Sequence, residues 1–268
     1  MKDFNKLIYT KTLRSALDDG LLSAEDSILV VCGGSYDRDV LHQLGFKKVT
    51  ISNLDSRMTG NEFDPYQWSY QDAESITEET DSYDWVLVHA GLHHCYAPHK
   101  ALLEMMRVGK KGAIVFEGRE SWIMNIGNRL GLSPVYEIEA VIGNDLKYGG
   151  VSNSHIPNFI YRWNEREVIK IVSSYYPQFK DNAVKFYYNL RLPDERVEFI
   201  KSPIKRMIMK LSFIPLRFLI FLFPKQSNEF GFIIKKGSLL QDWLAEEQGE
   251  VALNMPYLKE RFDVTVRK

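Results

Sequence analysis

Three histidines stand where they could remove a proton from a substrate. His93 and His94 follow the apolar strand predicted over Asp84–His89, and His155 lies beside Pro157 in a loop-rich stretch. Imidazole titrates near neutral pH, so it suits removal of a proton from a hydroxyl group. The three are therefore candidate general bases. The alternative is that they cap a helix, pack beside a ligand or remain solvated.

A second group of residues predicts a nucleoside-binding site. Ile28–Val31 has the apolar, β-branched character of a strand buried in a parallel sheet. Cys32, Gly33 and Gly34 then form a turn with little side-chain bulk before a helix, an arrangement in which a ligand can lie against backbone. Asp55 follows Gly34 by 21 residues and ends a second apolar strand. A carboxylate at that place can accept both hydroxyl hydrogen bonds of a ribose.

Two further charged residues end another strand. Glu117 and Arg119 lie at the end of Gly112–Glu117, where they could hold a polar substrate or pair with each other. No metal site is predicted, because His93, His94 and Cys95 are adjacent and should point in different directions. Cys32 and Cys95 are read as small packing residues rather than nucleophiles.

These residues need a sheet to bring them together, and the hydrophobic pattern predicts one. Apolar strands alternate with helical segments through residue 117, which is typical of a doubly wound parallel sheet. A helix at 4–22 precedes the first strand, residues 57–70 have loop composition, and 71–76 should end a third strand. The later predicted elements are a helix at 164–176 and strands at 183–188 and 229–235.

After residue 117 the alternation of predicted strands and helices is interrupted twice, which suggests the domain organisation. Residues 1–237 should form one domain, with insertions at 119–160 and 192–228 covering the carboxyl edge of the sheet and shaping an acceptor pocket. Residues 238–268 should carry an amphipathic helix, with Leu239, Leu240, Trp243 and Leu244 on its apolar face, and a polar tail.

Composition excludes some functions. Among 268 residues, 34 Lys and Arg balance 35 Asp and Glu, so no overall field points to nucleic acid. Two cysteines and an N-terminus without a signal peptide favour a reduced, cytoplasmic setting. No run of 18 uncharged apolar residues is present, so a membrane span is not expected.

Residues 201–225 form an apolar segment with interspersed lysine and arginine. Such a segment can lie on an anionic membrane surface as a basic amphipathic helix. Alternatively it is buried in the fold, covers the acceptor pocket or forms the contact of a homodimer. Pro215 and Arg217 interrupt it, and it is too short to span a bilayer.

In order along the chain, these motifs resemble those of the class I S-adenosylmethionine-dependent methyltransferases. The resemblance covers roughly residues 5–117 and 164–236. Its pieces are Ile28–Asp37, Asn53–Asp55, Gln71–Glu74, Asp84–His94, and the helix and strand at 98–117. It implies a Rossmann-like seven-stranded sheet, mostly parallel, that ends in an antiparallel hairpin.

The resemblance also assigns cofactor contacts. Cys32, Gly33 and Gly34 would let backbone approach the methionine part of S-adenosyl-L-methionine, and Asp55 would hold the ribose. Val30 stands where the family usually has an acid, so Asp37 would substitute in contacting the ammonium group. The remaining implied contacts are to the adenine and to the region of the sulfonium: Leu54, Asp72 and Ala73 for the former, His89 and Ala90 for the latter.

The strings Val31–Asp37 and His89–Cys95 are similar to a branch of methyltransferases associated with bacterial polysaccharide biosynthesis. That similarity implies O-methylation of a sugar or glycan precursor, either a small molecule or lipid-linked. Two alternatives stay open. One is methylation of a hydrophobic small molecule such as a quinone or polyketide, and the other is a scaffold that kept the fold without the chemistry.

Overall fold

A seven-stranded sheet forms the centre of the chain, whose computed structural model describes residues 8–129, 131–192, 197 and 201–262. The strand order is β3-β2-β1-β4-β5-β7-β6. Strands β1 to β5 pair in parallel, and β7 runs antiparallel to both β5 and β6. This is the predicted Rossmann-like methyltransferase architecture, which is confirmed.

Strands and helices alternate along much of the chain. The strands of the sheet are β1 Ser27–Val31, β2 Lys48–Asn53, β3 Gln67–Tyr70, β4 Tyr83–His89, β5 Gly109–Gly118, β6 Ala183–Asn189 and β7 Glu229–Lys235. The helices are α1 Ile8–Asp18, α2 Ser35–Gln43, α3 Pro98–Val108, α4 Trp122–Arg129, α5 Ile138–Ile142, α6 Glu165–Tyr175, α7 Pro203–Leu222 and α8 Met255–Arg261. A separate hairpin consists of β8 Leu244–Glu247 and β9 Glu250–Leu253.

Both faces of the sheet are covered, because successive strand residues point to opposite sides. Ile28 and Val30 pack with the buried residues of α1 and α2 on one face. Leu29 and Val31 pack with those of α3 and α6 on the other. The continuous apolar run of β1 therefore reflects burial on both sides, as expected for a central parallel strand.

One strand lies where the sequence predicts a loop. β3 occupies Gln67–Tyr70, inside the 57–70 segment, and residues 71–76 follow it rather than belonging to it. Its side chains are half-buried or exposed, because β3 is the edge strand and pairs with β2 alone. A short edge strand has few buried apolar residues, so the loop-favouring residues Gly60 and Pro65 led to the prediction of a loop.

The predicted helix containing Leu239, Leu240, Trp243 and Leu244 is wrong. Leu240 forms a β-bridge with Phe179, and Leu244 begins β8. Gln248 and Gly249 both have positive φ, 55° and 84°, and make the two-residue turn between β8 and β9. Such turns require left-handed residues and are a recognised hairpin signal. The helix of this region begins later, at Met255.

The two insertions differ in character. The first contains the short helices α4 and α5 in otherwise irregular chain, and the second contains the 20-residue helix α7. The parts of the predictions that concern residues 4–7, 193–196, 198–200 and 263–268 lie outside the described residues. Within the described part of the chain, no helix combines the length and the apolarity needed to cross a membrane.

Gly112 should be intolerant of a side chain. Its φ is 144°, and a Cβ there would lie 1.8 Å from the carbonyl oxygen of Ile234 in β7. We expect Gly112→Ala to lower the free energy of unfolding by at least about 3 kcal/mol, since both backbone strain and a backbone clash must be relieved. Urea denaturation followed by circular dichroism measures this.

Gly127→Ala is the matched control, because no atom lies within 4 Å of a Cβ at that helical position. It should change the stability by no more than about 1 kcal/mol, in the stabilising direction. Equal midpoints for the two variants would contradict the register of β5 against β7.

Candidate functional site

A cavity of about 270 Å³ opens at the carboxyl edge of the sheet, beside the ends of β1, β2, β3 and β4. Eight of the sequence-predicted site residues line it, and they come from four separate stretches of chain: Cys32, Gly33, Leu54, Asp55, Asp72, Ala73, Ala90 and His94. Parallel strands end at the same edge, so residues far apart in sequence meet there.

Asn53 ties two of these strand ends together. Its side-chain nitrogen donates to the Gly33 carbonyl at 2.7 Å, and its side-chain oxygen accepts from the Asp55 N–H at 2.8 Å. The Gly33 N–H donates in turn to the Ser52 carbonyl at 2.8 Å. The position of the Asp55 carboxylate relative to the glycine turn is thereby fixed by one amide side chain. Asn53 belongs to one of the sequence motifs, but no role was predicted for it.

Asp55 is held by an arginine. Arg57 Nε donates to Oδ1 at 2.8 Å and Arg57 Nη2 to Oδ2 at 2.5 Å, and these bonds lower the pKa of Asp55. The guanidinium also lies 4.1 Å from the centre of the Tyr148 ring in the first insertion. The carboxylate is therefore ionised and oriented at neutral pH, and a ligand that hydrogen-bonds to it shares it with Arg57.

The backbone is strained where β1 and β4 end. Cys32 has φ 51° and Ala90 has φ 53°, left-handed values that non-glycine residues rarely adopt. The adjoining Gly91 is packed so closely that a Cβ there would lie 2.4 Å from Cys32 Cβ. Two neighbouring strand ends therefore turn sharply at the cavity wall.

The first insertion covers part of the cavity. Asn144, Gly149, Gly150, Ser152 and Asn153 line it. Two of the hydrogen bonds that join this cover to the sheet side are long. Asn153 Nδ2 donates to the Leu54 carbonyl at 3.4 Å, and Arg57 Nη2 donates to Asn144 Oδ1 at 3.4 Å.

Three residues predicted to contact the cofactor do not line this cavity: Gly34, Asp37 and His89. Asp37 is buried and accepts the Gly34 N–H at 2.9 Å at the start of α2. His89 stacks on the buried Tyr9 ring, with centroids 4.5 Å apart. Burial raises the pKa of Asp37 and lowers the pKa of His89. Both face the α1 side of the sheet.

The three predicted bases separate into a cluster and a surface residue. His93 Nδ1 lies 2.7 Å from Glu117 Oε2, and His93 Nε2 lies 3.2 Å from Glu137 Oε2. His94 Nε2 lies 3.3 Å from the same Glu137 oxygen. His155 is exposed and does not line the 270 Å³ cavity. We call the first four residues the Glu117–His93–Glu137–His94 cluster.

Adjacent histidines were expected to diverge, and they do not. The His93 and His94 rings lie 4.6 Å apart, because the chain makes a single 3₁₀ turn at Leu92–His94 instead of a regular strand. Glu117 adds to this geometry by accepting the Leu92 N–H at 2.7 Å. Glu137 was missed altogether, since no periodic pattern surrounds it in the insertion.

The cluster contains opposite pKa shifts. Burial lowers the pKa of His93, but Glu117 and Glu137 outweigh burial and raise it to about 10. Burial and the nearby His93 charge lower the pKa of His94. The hydrogen bond from His93 holds the pKa of Glu137 at about 2. These shifts favour the imidazolium form of His93 at neutral pH and the neutral form of His94, which is the histidine of the cluster that lines the cavity.

Glu117 and Arg119 do not pair with each other, contrary to one of the two predictions. Glu117 binds His93, whereas Arg119 Nη2 donates to both carboxylate oxygens of Glu165 at 2.9 and 2.7 Å. Arg119 is buried between α6 and the end of β5. Neither residue lines the 270 Å³ cavity.

A second cavity of about 840 Å³ lies between the first insertion and α6. It shares no lining residue with the first cavity. Its wall includes Arg162, Arg166 and Lys170, with His99 and Glu167 paired at 2.7 Å.

Comparison with known proteins points to one family of domains. Residues 29–116 match the family model described as a methyltransferase domain. Among curated protein sequences there is no significant match.

Two solved structures have a similar fold. One is a Haloferax volcanii complex of the Trm112 methyltransferase activator with a protein assigned as a methyltransferase, at 12% identity and TM-score 0.52, covering 86% of this chain and 90% of that chain. The other is the YcgJ protein of Bacillus subtilis, also at 12% identity, with TM-score 0.50, covering 87% of this chain and 98% of that chain.

The buried Arg119–Glu165 pair should be essential for stability. In Arg119→Met a half-buried carboxylate loses its partner, so we expect the free energy of unfolding to fall by about 3 kcal/mol. Thermal and urea unfolding measure this. The matched control is Asp19→Asn, which breaks a 2.8 Å pair with Lys185 whose side chains are about half exposed. The control should show no measurable change, and equal losses in the two variants would contradict the assignment.

Proposed function

We propose that the 270 Å³ cavity binds S-adenosylmethionine and that the enzyme methylates a hydroxyl group, because residues 29–116 match the methyltransferase domain model. The proposed acceptor is a sugar or glycan precursor, and a lipid-linked one in particular. The observation that carries the proposal is the meeting of Gly33, Asp55 and Asp72 on one cavity wall.

The donor set of the cavity fits the cofactor. The Asp55 carboxylate is oriented by Arg57 and can accept from ribose hydroxyls. Asp72 Oδ1 accepts the Glu74 N–H at 2.9 Å, which leaves Oδ2 to accept from an amino group such as that of adenine. Gly33 and Ala90 present backbone close to the cavity. When bound, the cofactor supplies a methyl group on a positively charged sulfur.

The chain's own residues would position the acceptor and take its proton. Methyl transfer forms an oxygen–methyl bond and breaks the methyl–sulfur bond, whose electron pair stays on sulfur, and the hydroxyl proton must leave. His94 lies at the cavity wall and belongs to the Glu117–His93–Glu137–His94 cluster, so the proton would leave the acceptor there. The cover formed by the first insertion excludes water from the reacting atoms.

The surface of α7 supports a membrane-associated acceptor. Its apolar stripe has alternating spacings of three and four residues, and each member is more than half exposed: Ile204, Met207, Leu211, Ile214, Phe218 and Phe221. Phe213 and Ile220 on another face are buried. The prediction that this segment is buried in the fold is therefore correct for one face only.

The basic residues around this apolar stripe favour an anionic membrane as its partner. Residues 199–228 contain six basic side chains and no acidic one, in a chain whose net charge is −1. We therefore propose that α7 lies on an anionic bilayer surface, with its apolar stripe in the headgroup region. The exposed Trp122 and Ile126 of α4, which packs beside residues 224–226, extend the same apolar surface.

Calorimetry tests the cofactor site. S-adenosylmethionine and S-adenosylhomocysteine should both bind with one site per chain. Asp55→Ala should weaken both affinities by at least about tenfold, because two hydrogen bonds to a charged group are lost. Asp39→Ala removes an exposed carboxylate from α2 and serves as the control, with affinity within twofold of wild type. Absence of heat with either ligand, or unchanged affinity in Asp55→Ala, would overturn the assignment.

Sedimentation with liposomes tests the membrane surface. The chain should pellet with vesicles containing phosphatidylglycerol but not with pure phosphatidylcholine. Ile214→Glu combined with Phe218→Glu should reduce the bound fraction at least tenfold, since charges would enter the headgroup region. Ile169→Glu, at an exposed apolar position on α6, is the control and should bind as wild type.

Analytical ultracentrifugation separates this proposal from a homodimer. A monomer is expected in the absence of lipid. A dimer that disappears in the Ile214→Glu, Phe218→Glu variant would assign the stripe to a second copy and overturn the membrane proposal.

A further inference from the structure

Three side chains of the Glu117–His93–Glu137–His94 cluster, those of His93, His94 and Glu137, can each offer one metal-ligating atom, and these atoms lie within 4.8 Å of one another. His93 Nε2 and His94 Nε2 both lie close to Glu137 Oε2. Within the described part of the chain this is the one such group of three His, Cys, Asp or Glu ligands. We infer that it binds a divalent transition-metal ion of the zinc type.

The separations suit a metal site. Ligands at roughly 2.0–2.2 Å from a tetrahedral zinc ion stand roughly 3.2–3.6 Å from one another. The two distances to Glu137 Oε2 are 3.2 and 3.3 Å. Both exceed the usual length of a charge-assisted hydrogen bond, which is about 2.7–2.9 Å. The His93–Glu117 contact, at 2.7 Å, has the shorter hydrogen-bond length.

The fourth member of the cluster has the role of an orienting partner. Glu117 is fully buried, accepts the Leu92 N–H and contacts His93 Nδ1. A carboxylate on the far nitrogen of a ligating imidazole holds the proton there and leaves the lone pair on Nε2 for the metal. Asn158 holds Glu137 in place, since its carbonyl accepts the Glu137 N–H at 3.0 Å and its side-chain nitrogen donates to Glu137 Oε2 at 3.4 Å.

The two carboxylates of the cluster favour a dication. Glu117 and Glu137 both contact His93, and the side chains of Glu117 and His93 are almost completely buried, so both carboxylates would attract a positive ion held there. Two imidazole nitrogens select zinc-type ions, because magnesium and calcium prefer sites made of oxygen ligands.

The site would deepen the proposed function, on which this part of the inference rests. Three protein ligands leave a coordination position open, and His94 places the group at the wall of the proposed cofactor cavity. An acceptor hydroxyl bound there would release its proton to solvent at lower pH, because a metal would stabilise the alkoxide. His94, as a ligand, would then position the ion instead of taking the proton itself. Glu137 belongs to the first insertion and the histidines to the sheet edge, so the ion would also anchor the cover.

Metal binding to untagged protein, stripped with a chelator, tests the inference. Zn²⁺ should bind with one ion per chain and raise the Tm. Co²⁺ should give ligand-field absorption of a nitrogen and oxygen site. Glu137→Gln and His94→Gln should weaken Zn²⁺ binding by at least about a hundredfold, and Glu117→Gln by about 10- to 100-fold. His155→Gln, an exposed histidine of the same insertion, should bind as wild type.

The outcomes are distinct. No Zn²⁺ binding by wild type, or binding unchanged in Glu137→Gln and His94→Gln, overturns the site. Circular dichroism on the same samples reports whether each variant is folded, and if a variant is unfolded the Co²⁺ spectrum of wild type decides. A chain that binds S-adenosylhomocysteine without Zn²⁺ refutes only the metal site. A chain that binds Zn²⁺ without either cofactor form keeps the metal site and refutes the proposed function.

Discussion

The arrangement of the candidate site depends on the parallel pairing of β1 with both of its neighbours. Val30 lies opposite Ile51 of β2 and opposite Leu87 of β4, so the three strands end level with one another. A shift of one residue would turn every side chain of β1 to the other face of the sheet. Because both faces are buried, that shift is strongly disfavoured, and the turns at Cys32 and Ala90 are held at the same edge.

A second constraint comes from one buried carboxylate. Glu117 has no exposed side-chain surface, and an isolated charge in that place would be costly. His93 and the Leu92 N–H supply its hydrogen bonds, which forces the chain after β4 into a tight turn. That turn directs His93 and His94 to the same side. The direction of two functional side chains is therefore set by the need to satisfy a carboxylate that lines neither cavity.

Prediction from sequence succeeded where the local signal was strong. The apolar run Ile28–Val31 and the helix Pro98–Val108 are evident from composition and periodicity, and the structure has them at nearly the predicted bounds. The meeting of Gly33 with Asp55 follows from the rule that parallel strands end at one edge. The edge strand Gln67–Tyr70 was missed because its stability comes from pairing with β2 rather than from its own pattern.

Other parts of the site could not be found in this way. Glu137 reaches the histidines from an insertion without regular periodicity, and only the folded chain shows where it lies. Asp37 follows β1 at suitable spacing and His89 ends β4, yet both face the α1 side of the sheet. Spacing along the chain identifies which strand end carries a residue, but the side to which the side chain points depends on its place in the alternation of the strand or in the turn that follows.

The cover over the cavity has a consequence for the rate of turnover under the proposed function. Two of its contacts with the sheet side, the hydrogen bonds from Asn153 to Leu54 and from Arg57 to Asn144, are 3.4 Å long. Hydrogen bonds of that length are weak and exchange readily with water. Glu137 adds closer contacts with His93 and His94, so opening of the cover would have to break this cluster as well, which makes loop opening a distinct step of the proposed catalytic cycle.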